Sequence, residues 1–397
     1  MTKTKIVIAG CGIIGAILAY ELSCLDPHGS DLDIRVIDRQ PPARASTGAA
    51  LGVMMGAISL KKAKSRAWKL RRDSLVRYET LIPELIATTG RSIPYNRHGI
   101  LKLCTSLKPP LERWQTLAAE RREQQFQIDI LTSEATADRF PYVNLDQTIA
   151  AVYSLDDRQV EPVPLLEAAI VAAQSQGVRF DWDGCIESGI TDGDRLVGIT
   201  LRRSSGAIET VDLDVLMITA GAGSAAIAKD LAREGDPLTI MNVLGQALHL
   251  RPRSPIPANH PVITCDDIHV VPRSDGTVWV GATLEFPLGE NPDPSANDPI
   301  PDPQALDQLR TQATRFYPAL KNADVISSWQ GMRPRPIGRS APVIEPIAGL
   351  TNVLLATAHY RNGVLLAPAT AQQAINWLQQ TQISDQKPQE YPHGHPG

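Results

Sequence analysis

Residues 6–15 leave this chain few ways to begin its fold. Ile6-Val7-Ile8-Ala9 is a continuous apolar run, the pattern of a buried parallel strand. It stops at Gly10-Cys11-Gly12-Ile13-Ile14-Gly15, after which apolar residues recur at helical spacing to Leu25. Asp33–Asp38 reads as a second strand that ends on an acid. Strand, G-x-G-x-x-G turn, helix and strand together form a right-handed crossover unit. Gly10 permits the tight turn, Gly12 lets the backbone approach a pyrophosphate, and Gly15 lets helix and strand pack closely. The helix N-terminus turns its N–H groups and dipole toward phosphate. Asp38 stands where a carboxylate accepts hydrogen bonds from ribose hydroxyls. The span from Gly15 to Asp38 is slightly long, and Pro27-His28-Gly29-Ser30 reads as a small insertion. The same residues could form an ordinary strand–helix turn beside an incidental surface acid. By themselves they do not separate FAD from NAD.

Composition narrows the remaining classes. A chain of 397 residues suggests about two to four domains. With 43% hydrophobic and 21% charged residues, it has ample material for a buried core. The formal net charge of −4 implies no general attraction to nucleic acid or an anionic membrane. Lys61, Lys62, Lys64, Arg66 and Arg71 read as a solvated helix face. Cys11, Cys24, Cys104, Cys185 and Cys265 are scattered, odd in number and free of any CxxC pair. A disulfide framework or a metal site is therefore not expected, and a reducing, cytoplasmic setting fits. Met1–Lys5 run straight into the first strand without the pattern of a signal peptide. Segment 45–60 is apolar, but Gly48, Gly52 and Gly56 break it, and it is too short to span a bilayer.

Helices are predicted over 60–90, 110–125, 161–173, 304–316 and 368–379. Strands are predicted at 178–180, 196–202, 209–219 and 353–357, with more between 240 and 285. Residues 287–304 are rich in proline and read as a loop. The polar tail 384–397 is expected to be disordered.

Further landmarks follow in order. They are Ala45-Ser46-Thr47-Gly48-Ala49-Ala50-Leu51-Gly52, Gly177–Phe180 with Ile186, Met217–Ser224, Gly245-Gln246, Val271-Pro272-Arg273, Val280–Thr283, Trp329–Pro334 and His359–Thr370. In this order they resemble the glycine oxidase / D-amino acid oxidase family of FAD enzymes over about 1–380. That resemblance implies an α/β fold, with a Rossmann-type FAD-binding domain and a second sheet-based (α+β) substrate domain. The FAD domain is expected to be discontinuous, from 1–90, 150–235 and 325–380, with 91–149 and 236–324 forming the substrate domain. Gly245-Gln246 is expected at a turn where the chain enters the substrate domain.

The resemblance also assigns roles. It places Gly10, Gly12, Ile13, Ile14, Gly15, Asp38 and Arg39 at the nucleotide. Ser46, Thr47, Ala49, Ala50, Leu51 and Gly52 fall at the phosphates and flavin ring. Ile186 meets adenine through its backbone, and Ala220 and Gly221 form a second Gly-rich turn over the cofactor. Arg333, Arg361, Asn362, Gly363, Val364 and Leu365 flank the flavin, and the start of the last helix turns its dipole there. Arg361 and Arg333 are the candidate anchors for a substrate carboxylate, Arg361 first, because a planar guanidinium grips a carboxylate bidentately. His269 and Tyr360 complete the candidate pocket.

Two departures qualify the match. His269 stands where glycine oxidases have a tyrosine, with Asp267 nearby. Arg335 and Arg339 are additional arginines after Arg333. Cys265 lies too early to attach a flavin, so FAD is expected to be noncovalent. The implied function is oxidative deamination of glycine, sarcosine or a D-amino acid, with hydride passing to FAD and oxygen reoxidising it to give hydrogen peroxide. An amine or D-amino acid dehydrogenase with another acceptor, or a noncatalytic flavin-binding module, stays open, as does self-association.

Overall fold

The apolar run at 6–9 becomes the middle of a six-stranded sheet. In the computed structural model, residues 3–106, 108–231, 238–254, 256–257, 259–287 and 298–385 are described, with side chains to 381. The sheet runs in the order Val343–Pro346, Val353–Thr357, Val215–Ile218, Thr4–Ala9, Leu32–Asp38, Arg179–Trp182. Every neighbouring pair is parallel except the first. Side chains alternate between faces along each strand. Ile6 and Ile8 therefore join one core with Ile17, Trp68, Tyr78 and Leu81, beneath the helices Ile13–Leu25, Arg66–Thr89, Pro162–Ser175 and Gly363–Asp385. Val7 and Ala9 join Leu201, Leu216, Ile218 and Leu231 on the other face. Burial on both faces is why these strands read as continuous apolar runs.

A second sheet has eight strands, in the order Asp324–Pro336, Ile240–Arg251, Val278–Gly281, Ile268–Pro272, Val262–Cys265, Ile100–Cys104, Ala150–Ser154, Ile128–Leu131. It is antiparallel except between Val262–Cys265 and Ile100–Cys104.

Some sequence expectations shift. The strand Gly184–Asp192, hydrogen-bonded to Arg195–Arg203, was not anticipated. Gly245 lies inside the strand Ile240–Arg251, not at a turn. The helix expected from residue 60 starts at Arg66, where the Ser65 hydroxyl accepts the Trp68 amide at 3.2 Å. Lys61, Lys62 and Lys64 therefore precede it, exposed. Arg71 is buried rather than solvated, and one of its nitrogens donates to the Ala67 carbonyl at 2.8 Å.

The last helix begins at Gly363, five residues before Pro368. A proline inside a helix removes one N–H, here the donor for the carbonyl four residues back. Tyr78 supplies the missing donor, its hydroxyl reaching the Val364 carbonyl. The next amide, Ala369, donates to Ser74 Oγ at 3.2 Å. The long helix Arg66–Thr89 thus repairs the helix that the proline would otherwise end. Residues 384 and 385 belong to this helix, and the rest of the expected tail, 386–397, lies outside the described residues, as does 288–297 of the expected loop.

Candidate functional site

The turn at 10–15 divides its glycines between packing and access. Gly10 has φ +104°, and a Cβ there would sit 2.5 Å from Ala220 Cα. A Cβ on Gly15 would lie 2.0 Å from the Gly10 carbonyl oxygen. A Cβ on Gly12 would meet only Thr47 Oγ1, at 3.2 Å. Gly10 and Gly15 are therefore required by the fold, whereas Gly12 faces open space. Gly12 is also the N-cap of the helix and has no side chain to cap it. Thr47 performs that task from another element, its Oγ1 accepting the Ile13 amide at 3.0 Å. Among the described residues the amides of Gly12 and Ile14 have no protein acceptor. Thr219 Oγ1 donates to the Gly10 carbonyl at 2.7 Å and steadies the turn from the next strand. Asp38 accepts the Cys11 amide at 2.7 Å and the Gln40 amide at 3.0 Å, which orients its carboxylate beside the turn. Arg39 is exposed next to it.

The short helix Ser46–Ala49 joins the two sheets. Ser46 Oγ donates to the Met332 carbonyl at 2.7 Å, and Trp329 Nε1 donates to the Ala49 carbonyl at 3.0 Å. A Cβ on Gly331 would come within 2.3 Å of Ala49 Cβ. Ala50 is half-buried and Leu51 buried, with Leu51 packing against Gly281 of the larger sheet. Gly52 serves the backbone, with φ +70° and the Val160 carbonyl oxygen 1.7 Å from where its Cβ would be. Ile186 is half-buried on its strand, paired with Leu201. Ala220 closes on Gly10, and Gly221 takes φ +57°.

Residues directly opposite one another in a sheet point to the same face. The register runs Trp329, Ala247, Gly281, His269, Thr264, Lys102 across six strands. One step along, Gly331 faces Gly245, and one further, Arg333 faces Val243. The contacts of Ala49 and Leu51 show that this face meets the smaller sheet's unit.

Arg333 projects from this face and lies over Gly245, where a Cβ would be 2.1 Å from its guanidinium. Glycine is needed mid-strand because the guanidinium rests on the backbone there. One nitrogen, Nη1, donates to the carbonyls of Leu244 and Thr283 at 3.0 and 3.1 Å. No carboxylate pairs with Arg333 among the described residues. Burial lowers its pKa, and the Arg361 charge lowers it further.

Arg361 is exposed and reaches Asp267, Nη2 to Oδ1 at 2.8 Å. That bond holds the Asp267 carboxyl below its ordinary pKa. His269 Nδ1 is 2.9 Å from Thr264 Oγ1, and Nε2 has no hydrogen-bond partner among the described residues. Burial and then the Arg361 and Lys102 charges push its pKa down to about 3, which keeps the ring neutral at neutral pH. Tyr360 has φ +55°, and its amide is tied to the Pro334 carbonyl at 3.1 Å. Three segments distant in sequence, carrying His269, Arg333 and the consecutive Tyr360 and Arg361, thus gather at one place.

Asn362, Gly363, Val364 and Leu365 form the start of the last helix. The Asn362 amide is bonded to the His359 carbonyl at 3.1 Å. His359 is buried with Nε2 2.8 Å from Thr370 Oγ1, and burial pushes its pKa down to about 3.

A family model for FAD dependent oxidoreductase matches residues 5–377. The chain belongs to this family of FAD-dependent oxidoreductases. This oxidoreductase is 26% identical to glycine oxidase of Pseudomonas aeruginosa, over 92% of each protein. It is 30% identical to the bifunctional protein ThiO/ThiG of Synechocystis over 93% of its own length, and spans 51% of that protein. Its fold is that of glycine oxidase from Geobacillus kaustophilus, with a TM-score of 0.80 at 22% identity and 95% of each chain covered.

The residues present fit FAD. The open face of Gly12, the unpartnered amides around it and the oriented Asp38 carboxylate supply the donors and acceptor that a pyrophosphate and a ribose require. Sequence reasoning missed Thr264 and Lys102 on the shared face, and had Gly281 only as part of the Val280–Thr283 landmark. Alternation within each strand hints at them, but only the register across strands aligns them. None of the described helices is long and apolar enough to cross a membrane.

Proposed function

We propose that this oxidoreductase oxidises the carbon–nitrogen bond of a small amino acid, with oxygen as the final electron acceptor. The carrying observation is Arg333, a part-buried guanidinium with no carboxylate partner among the described residues and only one nitrogen engaged by backbone. An unanswered charge in such a place is costly, and a bidentate substrate carboxylate would answer it. Arg361, favoured from the sequence, already has an acid partner in Asp267. The anchor therefore moves to Arg333, with Arg361 at the rim. The names of the curated relatives support glycine or a close analogue as the frame of the substrate.

In this reading Gly10, Gly12, Ile13, Ile14, Gly15 and Asp38 hold the nucleotide end of FAD, noncovalently. Arg39, Ser46, Thr47, Ala49, Ala50, Leu51, Gly52, Ile186, Ala220, Gly221 and 361–365 form the rest of its bed, together with the strand carrying Arg333. The six-stranded unit is the FAD domain and the eight-stranded sheet covers it. Residues 150–154 and 324–336 go with the larger sheet, to which they are hydrogen-bonded.

When bound, FAD would supply the two-electron acceptor for oxidation of the carbon–nitrogen bond. Arg333 fixes the carboxylate and so limits which face of Cα is presented. His269, neutral and pinned by Thr264, offers Nε2 to the amine without placing another cation beside it.

Arg333→Leu should purify yellow yet lose about 2–5 kcal/mol in kcat/KM for flavin reduction. Anaerobic reduction by a panel of amino acids, with peroxide measured in air, is the test. Wild-type rates in Arg333→Leu would remove the anchor, and a flavin that no amino acid reduces would remove the function.

A further inference from the structure

We propose that Arg335, with Tyr360, forms a second anion site at the rim of this pocket, so that the substrate is a small amino acid carrying a second carboxylate. The inference rests on the reading of Arg333 as the first carboxylate's anchor. Arg335 lies two residues beyond Arg333 on the same strand. Both side chains leave the same face of the sheet, from Cα atoms about 6.6 Å apart. Tyr360 lies beside both. Its amide donates to the carbonyl of Pro334, the residue between them, at 3.1 Å, and its ring centroid is 5.8 Å from the Arg335 guanidinium carbon. Phe286 lies at 5.8 Å from the same carbon. Ring faces attract a guanidinium by its flat side and leave its in-plane N–H groups free for an acceptor.

Charge accounting separates Arg335 from its neighbours. Arg361 is answered by Asp267 and Arg339 by Glu345. Arg335 has only aromatic partners among the described residues. A cavity of about 460 Å³ opens beside it, lined also by Gly338, Arg339, Ser340 and Tyr360. Glycine, once its single carboxylate sits on Arg333, would reach none of this. A chain extending a second carboxylate from the side chain or from nitrogen would place it against Arg335.

The test uses the purified flavoprotein and carboxylates that cannot be oxidised. Acetate, malonate, succinate and glutarate are titrated by calorimetry against wild type, Arg335→Gln and Arg333→Leu. At least one dicarboxylate should bind wild type about tenfold or more tighter than acetate. Arg335→Gln should erase that advantage while leaving acetate unchanged, and Arg335→Lys should restore part of it. Flavin reduction should follow, with aspartate or glutamate losing kcat/KM in Arg335→Gln while glycine does not. Acetate binding that Arg333→Leu abolishes, with no dicarboxylate advantage, overturns the second site and leaves the amino-acid reading standing. An equal loss for acetate and dicarboxylates in Arg335→Gln also overturns it. If no carboxylate binds and no amino acid reduces the flavin, both readings fall together.

Discussion

The two halves of this site are made from different parts of the chain's chemistry. The nucleotide end, at 10–15, is built from backbone, and its side chains matter mostly by being absent. The substrate end, on the eight-stranded sheet, is built from side chains that converge across strands, and its glycines serve as floor. Gly15 is forced by a carbonyl five residues earlier, whereas Gly245 is forced by Arg333, 88 residues later in the numbering. A site made of backbone is specified locally. A site made of side chains is specified by register, so its partners need have no relation in sequence.

The contrast is broken most severely within the turn itself. In Gly15→Val the new side chain starts 2.0 Å from the Gly10 carbonyl, so no soluble flavoprotein should be recovered. Gly12→Val should fold but purify colourless, because only Thr47 Oγ1 is close and the obstructed space is the cofactor's. Equal far-UV circular dichroism with absent flavin absorbance identifies that outcome. A yellow Gly12→Val would show that the phosphates lie elsewhere.

The arginines come next. Against the loss of about 2–5 kcal/mol in kcat/KM expected for Arg333→Leu, Arg361→Leu should lower kcat/KM much less, since Arg361 is already paired with Asp267 at a solvent-exposed place. Steady-state kinetics of both variants decide the order. The reverse ranking would return the anchor to Arg361.

Tyr78→Phe probes how the start of the last helix is held to the helix Arg66–Thr89. The Val364 carbonyl would be left buried without a donor, costing about 1–3 kcal/mol of stability in denaturant melts. No change would mean that the proline-containing turn finds another donor.

A further effect appears only with pH. His359 has its pKa lowered from 6.5 to about 3 by burial. The unfolded chain therefore binds the extra proton first, and the stability this histidine contributes is present above pH 6.5 and lost as pH falls toward about 3. The slope is at most about 1.4 kcal/mol per pH unit. His359→Gln should lack that slope, so its stability deficit against wild type should shrink as pH falls from 6.5 to 4.5. A deficit that stays constant across that range would show that His359 does not stay neutral in the folded state.

Much of the fold was legible beforehand for identifiable reasons. The buried strands at 6–9 and 353–357 are apolar on both faces, and periodicity finds such runs. The strand Gly184–Asp192 was missed because Glu187, Ser188, Thr191, Asp192 and two glycines break up its apolar pattern. The start of the last helix was missed because Pro368 reads as a beginning, and its tolerance inside the helix depends on Tyr78, 290 residues earlier.

The sequence by itself determined the crossover unit, the open glycine at 12, the acid at 38 and membership of a flavin-dependent family, since each follows from residues a short distance apart or from their order along the chain. Only the tertiary structure decided that Arg333 has no carboxylate partner among the described residues while Arg361 has one, that Gly245 lies beneath a guanidinium, that Thr47 caps a helix it does not belong to, and that Thr264 holds His269. Those are facts about which charge meets which partner. A side chain's type states what it can bind, but strand register and packing settle what is already within its reach.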